Sequence, residues 1–99
     1  MPSVSIQELL QTKRDEILRI AERHGAHNVR VFGSVATGDA TETSDVDFLV
    51  STHGQTSPWF PVAFAEELET LLGPKVDVVT ENGLYWLLRR RILKQARPL

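Results

Sequence analysis

The first quarter of the chain carries apolar residues at helical spacing between a helix start and a helix stop. Ser5 and Glu8 form a capping box, and Gly25 stands where the end of a helix favours glycine. The apolar positions are Ile6, Leu9, Leu10, Ile17, Leu18 and Ala21. This pattern predicts one amphipathic helix ahead of the first strand, with His24 and His27 exposed near its end.

Three short runs have the β-branched and aromatic composition of strands, at residues 29–32, 45–50 and 75–79. Gly33 ends the first run, and Ser34 can begin a short helix after it. Side chains alternate along a strand, so Asp45 and Asp47 are expected on one face, with Cα atoms about 7 Å apart.

Two further helices are predicted in the second half of the chain. The first begins near Pro58 and Pro61 and ends at Gly73. The second is capped by Thr80 or Asn82. Its apolar positions are Leu84, Leu87, Leu88 and Ile92, and Tyr85 and Trp86 are expected either to be partly buried or to form a protein-binding patch.

The resulting order is helix, strand, short helix, strand, helix, strand, helix. It predicts an α/β fold in which a small mixed β-sheet is flanked by helices and a ligand binds at the strand ends. A single domain is expected over residues 1–99. No dinucleotide-binding or P-loop glycine pattern occurs, so those nucleotide folds are not favoured.

Composition narrows the class of protein. The 99 residues are 41% hydrophobic and 24% charged, with a formal net charge of -2 and no cysteine. Neither a membrane span nor direct nucleic-acid binding is expected, and a cytoplasmic location fits the missing cysteine. The basic residues cluster at 89–91, where they are expected on a solvated helix face, or against an acidic partner or a triphosphate.

Polar residues directly after the first predicted strand and within the second and third predicted strands point to phosphate and metal chemistry. Gly33 and Ser34 can cradle a phosphate at a helix start. Asp45 and Asp47 suit a shared Mg²⁺, which prefers carboxylate and phosphate oxygens. Asp77 lies in a valine-rich run, where a carboxylate is costly to bury unless it is paired or binds a metal, or else faces water on an edge strand.

The spacing of Gly33-Ser34, Ser44-Asp45-x-Asp47 and Asp77 resembles the signature of the polymerase β-like nucleotidyltransferases, and the short length resembles their minimal (MNT) branch. The resemblance covers most of the chain. It implies that Asp45 and Asp47 bind the catalytic metals, that Asp77 completes the site as a third ligand and candidate general base, and that Gly33 and Ser34 hold nucleotide phosphates. One residue departs from the family pattern, because Thr37 stands where an arginine is common.

The resemblance implies a Mg²⁺-dependent enzyme that transfers AMP from ATP to a hydroxyl. Minimal nucleotidyltransferases are often paired with a HEPN-type toxin, a ribonuclease, and act as its antitoxin by adenylylating a tyrosine. A hetero-oligomer with such a toxin is therefore expected. Two alternatives remain open: a non-catalytic module that neutralises a partner by covering it, and a nucleotidyltransferase that acts on a small molecule.

Overall fold

The N-terminal apolar stripe forms two helices. The computed structural model describes residues 5–41, 44–52, 54, 56 and 58–99. Helix α1 spans Ile6–Thr12 and helix α2 spans Arg14–Arg23, so the prediction of one continuous helix is wrong. The backbone leaves the helical conformation at Lys13, with φ −97° and ψ 7°. Lys13 and Arg14 stand three and four residues after Leu10, so no apolar side chain anchors the middle of the stripe to the core.

A four-stranded sheet forms the centre of the fold. Strand β1 spans Ala26–Phe32, β2 spans Val46–Thr52, β3 spans Val76–Thr80, and β4 is the short pair Arg97–Pro98. Their order across the sheet is β3-β2-β1-β4. Strands β2 and β3 run parallel, whereas β1 is antiparallel to both β2 and β4. This arrangement confirms the predicted mixed sheet, to which β4 adds a strand that the pattern did not predict.

The remaining helices connect these strands. The short helix α3 spans Ser34–Thr37 and helix α4 spans Val62–Leu72, as predicted. The last helix is shorter than predicted, because a 3₁₀ turn at Glu81–Gly83 comes first and helix α5 spans Trp86–Gln95. The Thr80 hydroxyl accepts a hydrogen bond from the Gly83 N–H at 3.1 Å and so caps the turn, not the helix. Within the described residues, no helix is long and apolar enough to cross a membrane.

The hydrophobic core lies between one face of the sheet and helices α1, α2 and α4. Along the central strand β2, Val46, Phe48 and Val50 are completely buried and belong to this core. The other core residues are Leu10, Ile17, Ile20, Ala21, Ala26, Val29, Val31, Val35, Phe64, Leu68, Leu72 and Val76. Because side chains alternate along a strand, Asp47 points to the opposite face, away from this core.

His24 belongs to the core boundary, and the prediction that it is exposed is wrong. Its side chain is only 14% exposed, and Nε2 lies 3.0 Å from Oε1 of Glu67. The ring also packs on Phe64, with 5.5 Å between ring centroids. His27 is part of strand β1 and is partly buried, so it does not lie at a helix end. His53, predicted to be exposed in a loop, lies outside the described residues.

A network of ion pairs centred on Glu81 lies on the sheet face opposite the core. Nη2 of Arg30 lies 2.9 Å from Oε2 of Glu81, and the Ser51 hydroxyl donates to the same oxygen at 3.1 Å. Nη1 of Arg89 donates to the Glu81 carbonyl oxygen at 2.7 Å. Arg30 therefore pairs with a carboxylate, and the network ties α5 to the sheet.

Helix α5 has no buried residue. Trp86 is 73% exposed and Leu87 58%, and Tyr85 just before the helix is 58% exposed. Both aromatic side chains are therefore mostly exposed, which agrees with the expected protein-binding patch better than with the expected partial burial. Trp59 is likewise 75% exposed, whereas Phe60 stacks on Phe64 at a centroid distance of 6.0 Å.

The Glu81 network predicts a pH-dependent contribution to stability. Hydrogen bonds from Arg30 and Ser51, with the charges of Arg30 and Arg89, hold the pKa of Glu81 below its ordinary value despite some burial. Ionised Glu81 therefore stabilises the fold above the ordinary titration range of a carboxyl group, and this contribution is lost as the pH falls through the folded-state pKa. Glu81→Gln should lower the free energy of unfolding at pH 7 by about 1 kcal/mol, a modest value because the network is partly exposed.

Denaturant unfolding at pH 7 and at pH 3 would measure this effect. Glu66→Gln on the exposed side of α4 is the control, since no ion pair of Glu66 occurs among the described residues. A Glu81→Gln penalty that stays the same at both pH values would contradict the assigned role of the charge.

Candidate active site

The sheet topology brings three acidic residues to one end of the sheet. Because β2 and β3 are parallel and β1 is antiparallel to β2, the end of β1 lies beside the starts of β2 and β3. In this register Asp47 on β2 lies opposite Phe32 on β1 and opposite Asp77 on β3. Asp45 stands one residue ahead of β2, so the prediction that the strand includes it is wrong by one position.

Asp47 is the electrostatic centre of this group. Its pKa is raised, first by burial, then by the negative charge of Asp77, and then by that of Asp45. Both neighbours therefore act on Asp47, which is partly buried, whereas Asp45 and Asp77 are exposed. Such crowding of like charges destabilises the ionised site unless a cation or hydrogen-bond donor compensates it.

Asp77 combines the two environments that its sequence context allowed. It lies on the edge strand β3 with an exposed side chain, as expected of a carboxylate that faces water. It also lies directly across from Asp47 and raises the pKa of that residue. Asp77 therefore belongs to the acidic group although its side chain is exposed, and a ligand can reach its carboxylate.

Gly33 makes room for the Asp47 carboxylate. Its backbone has φ +70° and ψ −147°, a conformation that is essentially restricted to glycine. A Cβ atom added to Gly33 would collide with Oδ2 of Asp47. The sequence signal of a glycine directly after a strand thus has a physical cause, because β1 must turn while the carboxylate approaches its backbone.

Thr37, the residue that departs from the expected pattern, makes hydrogen bonds within the segment after Gly33. The Thr37 hydroxyl lies 3.0 Å from Oδ2 of Asp39 and 3.3 Å from the Gly33 carbonyl oxygen. Ser44 ends this loop as a turn residue, because its Oγ accepts a hydrogen bond from the Thr41 N–H at 2.9 Å. Thr37 therefore organises the loop and supplies no positive charge. The sequence predicts that Glu42 belongs to a polar connector between Gly38 and Thr43, and Glu42 lies outside the described residues.

A cleft of about 470 Å³ opens beside Gly33 and Ser34. Helix α5 forms the opposite wall with Leu88, Arg91 and Gln95. The remaining lining residues are Phe32, Thr37, Asp39 and Ile92. Gly33 lines this cleft, and a Cβ atom on it would collide with Asp47, so the cleft and the acidic group are neighbours. The role of α5 as a wall could not be found from the sequence, because the arginine run gave no indication of which arginine faces inward.

The acidic group has the donor chemistry of a Mg²⁺ site. Within the described parts of the chain, no group of three or more acidic, histidine or cysteine side chains is already placed to hold a metal ion by itself. Mg²⁺ is usually held by one or two carboxylates together with water and substrate phosphates, so an open set suits it. The charge crowding at Asp47 supports the same fit, since a bound cation would relieve the repulsion from Asp77 and Asp45.

Comparisons with known proteins agree with this geometry. Residues 14–99 match the nucleotidyltransferase domain family. The chain is 34% identical over 90 residues to the protein adenylyltransferase MntA of Thermococcus cleftensis, covering 91% of this chain and 88% of that protein. A solved structure described provisionally as a minimal nucleotidyltransferase is 40% identical, covers both chains completely and superposes with a TM-score of 0.85.

Two solved toxin–antitoxin complexes share the fold at lower identity. One, with AMP-PNP, is 20% identical, has a TM-score of 0.74 and covers 85% of this chain and 69% of that chain. The other is a tri-AMPylated HEPN toxin of Shewanella oneidensis in complex with an MNT antitoxin, at 18% identity, a TM-score of 0.68 and coverage of 89% and 69%. The strand order, the acidic group and the sequence match together lead to one conclusion: the chain belongs to the nucleotidyltransferase domain family.

Proposed function

We propose that this protein uses Mg²⁺ to transfer AMP from ATP to a tyrosine hydroxyl of a HEPN-type toxin and so acts as its antitoxin. The observation that carries the proposal is the position of Asp47, crowded by Asp45 and Asp77 and in contact with Gly33. Membership of the nucleotidyltransferase family and similarity to an adenylyltransferase support the reaction class. The toxin complexes of more distant relatives support the kind of partner.

Asp45, Asp47 and Asp77 would hold Mg²⁺ together with the nucleotide phosphates. When bound, the ion supplies positive charge that compensates the phosphate oxygens during the displacement. Gly33 and Ser34 would place the phosphates beside the carboxylates, because Gly33 leaves the backbone open to close approach.

The proposed transfer forms one bond and breaks one bond. The tyrosine oxygen attacks the α-phosphorus of ATP, and the bond from that phosphorus to the bridging oxygen of the β-phosphate breaks. Pyrophosphate leaves with the electron pair, and the tyrosine becomes an AMP ester. The phenolic proton needs an acceptor, and exposed Asp77, which a protein substrate can reach, is the proposed base.

The accessible apolar residues favour a protein as the acceptor. Tyr85, Trp86 and Leu87 are more than half exposed, and Leu88 extends this apolar surface to the cleft. A cluster of large exposed apolar side chains marks an interaction site more often than chance. The same observation supports a second candidate, a module that neutralises its partner by covering it without catalysis.

The transfer itself can be measured by intact mass spectrometry of a HEPN-type toxin encoded beside this protein. Incubation with this protein, Mg²⁺ and ATP should add one or more AMP units to the toxin. Asp45→Asn and Asp47→Asn should each abolish the addition, because a neutral amide is a poor ligand for Mg²⁺.

The Asp45→Asn/Asp47→Asn double variant separates the two candidates. Loss of toxin neutralisation together with loss of AMP addition supports catalysis. An unchanged toxin mass with wild type, together with full neutralisation by the double variant, would favour the covering module instead.

The repulsion at Asp47 predicts that the ionised acidic group lowers the free energy of unfolding when no cation is bound. A raised pKa means that ionised Asp47 destabilises the fold, and the favourable contribution of its neutral form is lost as the pH rises through the folded-state pKa. Asp47→Asn should therefore raise the melting temperature at pH 8 in EDTA. The gain should shrink near pH 4, where the wild-type carboxyl takes up a proton. A lower melting temperature than wild type at both pH values would count against this electrostatic assignment.

Gly33→Ala should abolish AMP transfer, because the new methyl group displaces the Asp47 carboxylate. Gly38→Ala is the matched control, since Gly38 also has a positive φ, +84°, but a Cβ there meets no atom within 4 Å. Both variants carry backbone strain of about 1–3 kcal/mol, so both should melt earlier than wild type. Transfer rates measured below both melting temperatures would test the difference, and equal activity of the two variants would contradict the role of Gly33.

A further inference from the structure

We propose that Arg91 binds the polyphosphate of the nucleotide and supplies the positive charge that Thr37 does not. This inference rests on the proposed function and assigns a further substrate-binding residue to its site. Arg91 lines the cleft beside Gly33 and Ser34, and it is the one arginine or lysine among the described residues of that lining. Gly33 links this cleft to the acidic group, because it lines the cleft and a Cβ atom on it would collide with Oδ2 of Asp47.

Three consecutive arginines on α5 have three different environments. Arg89 donates to the Glu81 carbonyl oxygen at 2.7 Å and pairs with the Glu81 carboxylate at 3.4 Å. Arg90 is exposed and does not line the cleft. Arg91 does line it, and no hydrogen bond or ion pair of Arg91 is formed with the described residues. Its guanidinium is therefore available to a ligand.

Helix α5 has no buried residue, but it is tied to the rest of the fold near both of its ends. At its start, Arg89 ties the helix to Glu81. At its end, β4 pairs with β1 through Arg97 opposite Val31. A helix held at both ends keeps the Arg91 side of α5 toward the cleft, so less freedom is lost when a ligand binds.

The charges of the site favour a basic side chain near the phosphates in addition to Mg²⁺. An ATP molecule with its α-phosphate near Asp47 brings several negative charges next to three carboxylates, and Asp39 adds a fourth carboxylate at the cleft. Asp39 is engaged by the Thr37 hydroxyl at 3.0 Å. A guanidinium matches phosphate oxygens with two parallel hydrogen bonds, which makes Arg91 the suitable partner for the phosphates that extend into the cleft.

Isothermal titration calorimetry with ATP in the presence of Mg²⁺ tests this assignment. The ATP affinity of wild-type protein is compared with that of Arg91→Ala and Arg90→Ala. Arg91→Ala should weaken ATP binding about tenfold to a hundredfold, as expected for a lost charged hydrogen bond. Arg90→Ala, which removes the same charge one residue away, should change it less than about twofold. Arg91→Lys should lie between wild type and Arg91→Ala, because it keeps the charge and loses the paired hydrogen bonds. Melting curves verify that all variants are folded.

The KM for ATP in the AMP transfer reaction should follow the binding data. Equal losses for Arg90→Ala and Arg91→Ala, or no loss for either, would overturn the inference. It would also be overturned if Arg91→Ala weakened toxin binding and left ATP binding intact, since Arg91 would then belong to the docking surface.

The binding experiment keeps this inference separate from the proposed function. Wild-type protein that binds ATP but leaves the toxin mass unchanged would overturn the proposed transfer, while the comparison of Arg91 with Arg90 would still decide the role of Arg91. Wild-type protein that binds no ATP would overturn both.

Discussion

Repulsion among carboxylates at the end of the sheet is the constraint around which this fold is built. Backbone pairing of β2 with β3 holds Asp47 opposite Asp77, and Asp45 follows from its place two residues earlier in the chain. The sheet ladder and the buried side chains on its other face compensate this repulsion. The folded chain therefore keeps a negatively charged site in place that a bound cation would stabilise.

Gly33 and Glu81 lie at opposite ends of the sheet face that points away from the hydrophobic core. At the end where β1 stops, the missing side chain of Gly33 lets a carboxylate meet the backbone. At the other end, Glu81 gathers Arg30, Ser51 and Arg89, and so anchors α5 over a face that the core helices leave uncovered. At one end of this face the carboxylates lie close together without a compensating cation among the described residues. At the other end, arginines pair with Glu81 and stabilise the fold.

Helix α5 connects nucleotide binding and partner binding in the proposed function. One side lines the cleft with Leu88 and Arg91, and Trp86 and Leu87 are exposed on the same short helix. A protein that covers the exposed side would lie next to the cleft, where its hydroxyl groups could approach the nucleotide. In the proposed function, the same helix therefore serves both nucleotide binding and partner binding.

The sequence by itself determined the α/β class, the β2 and β3 runs and the acidic residues, because glycine breaks, β-branched runs and Asp-x-Asp spacing are local signals. Only the tertiary structure decided that the first stripe breaks at Lys13, that His24 pairs with Glu67, and that Arg91 faces the cleft while Arg89 binds Glu81. The pairing of His24 and the placement of Arg91 at the cleft depend on groups far apart in the chain. Residue spacing records which side of a helix a residue occupies, but not what the fold brings against that side.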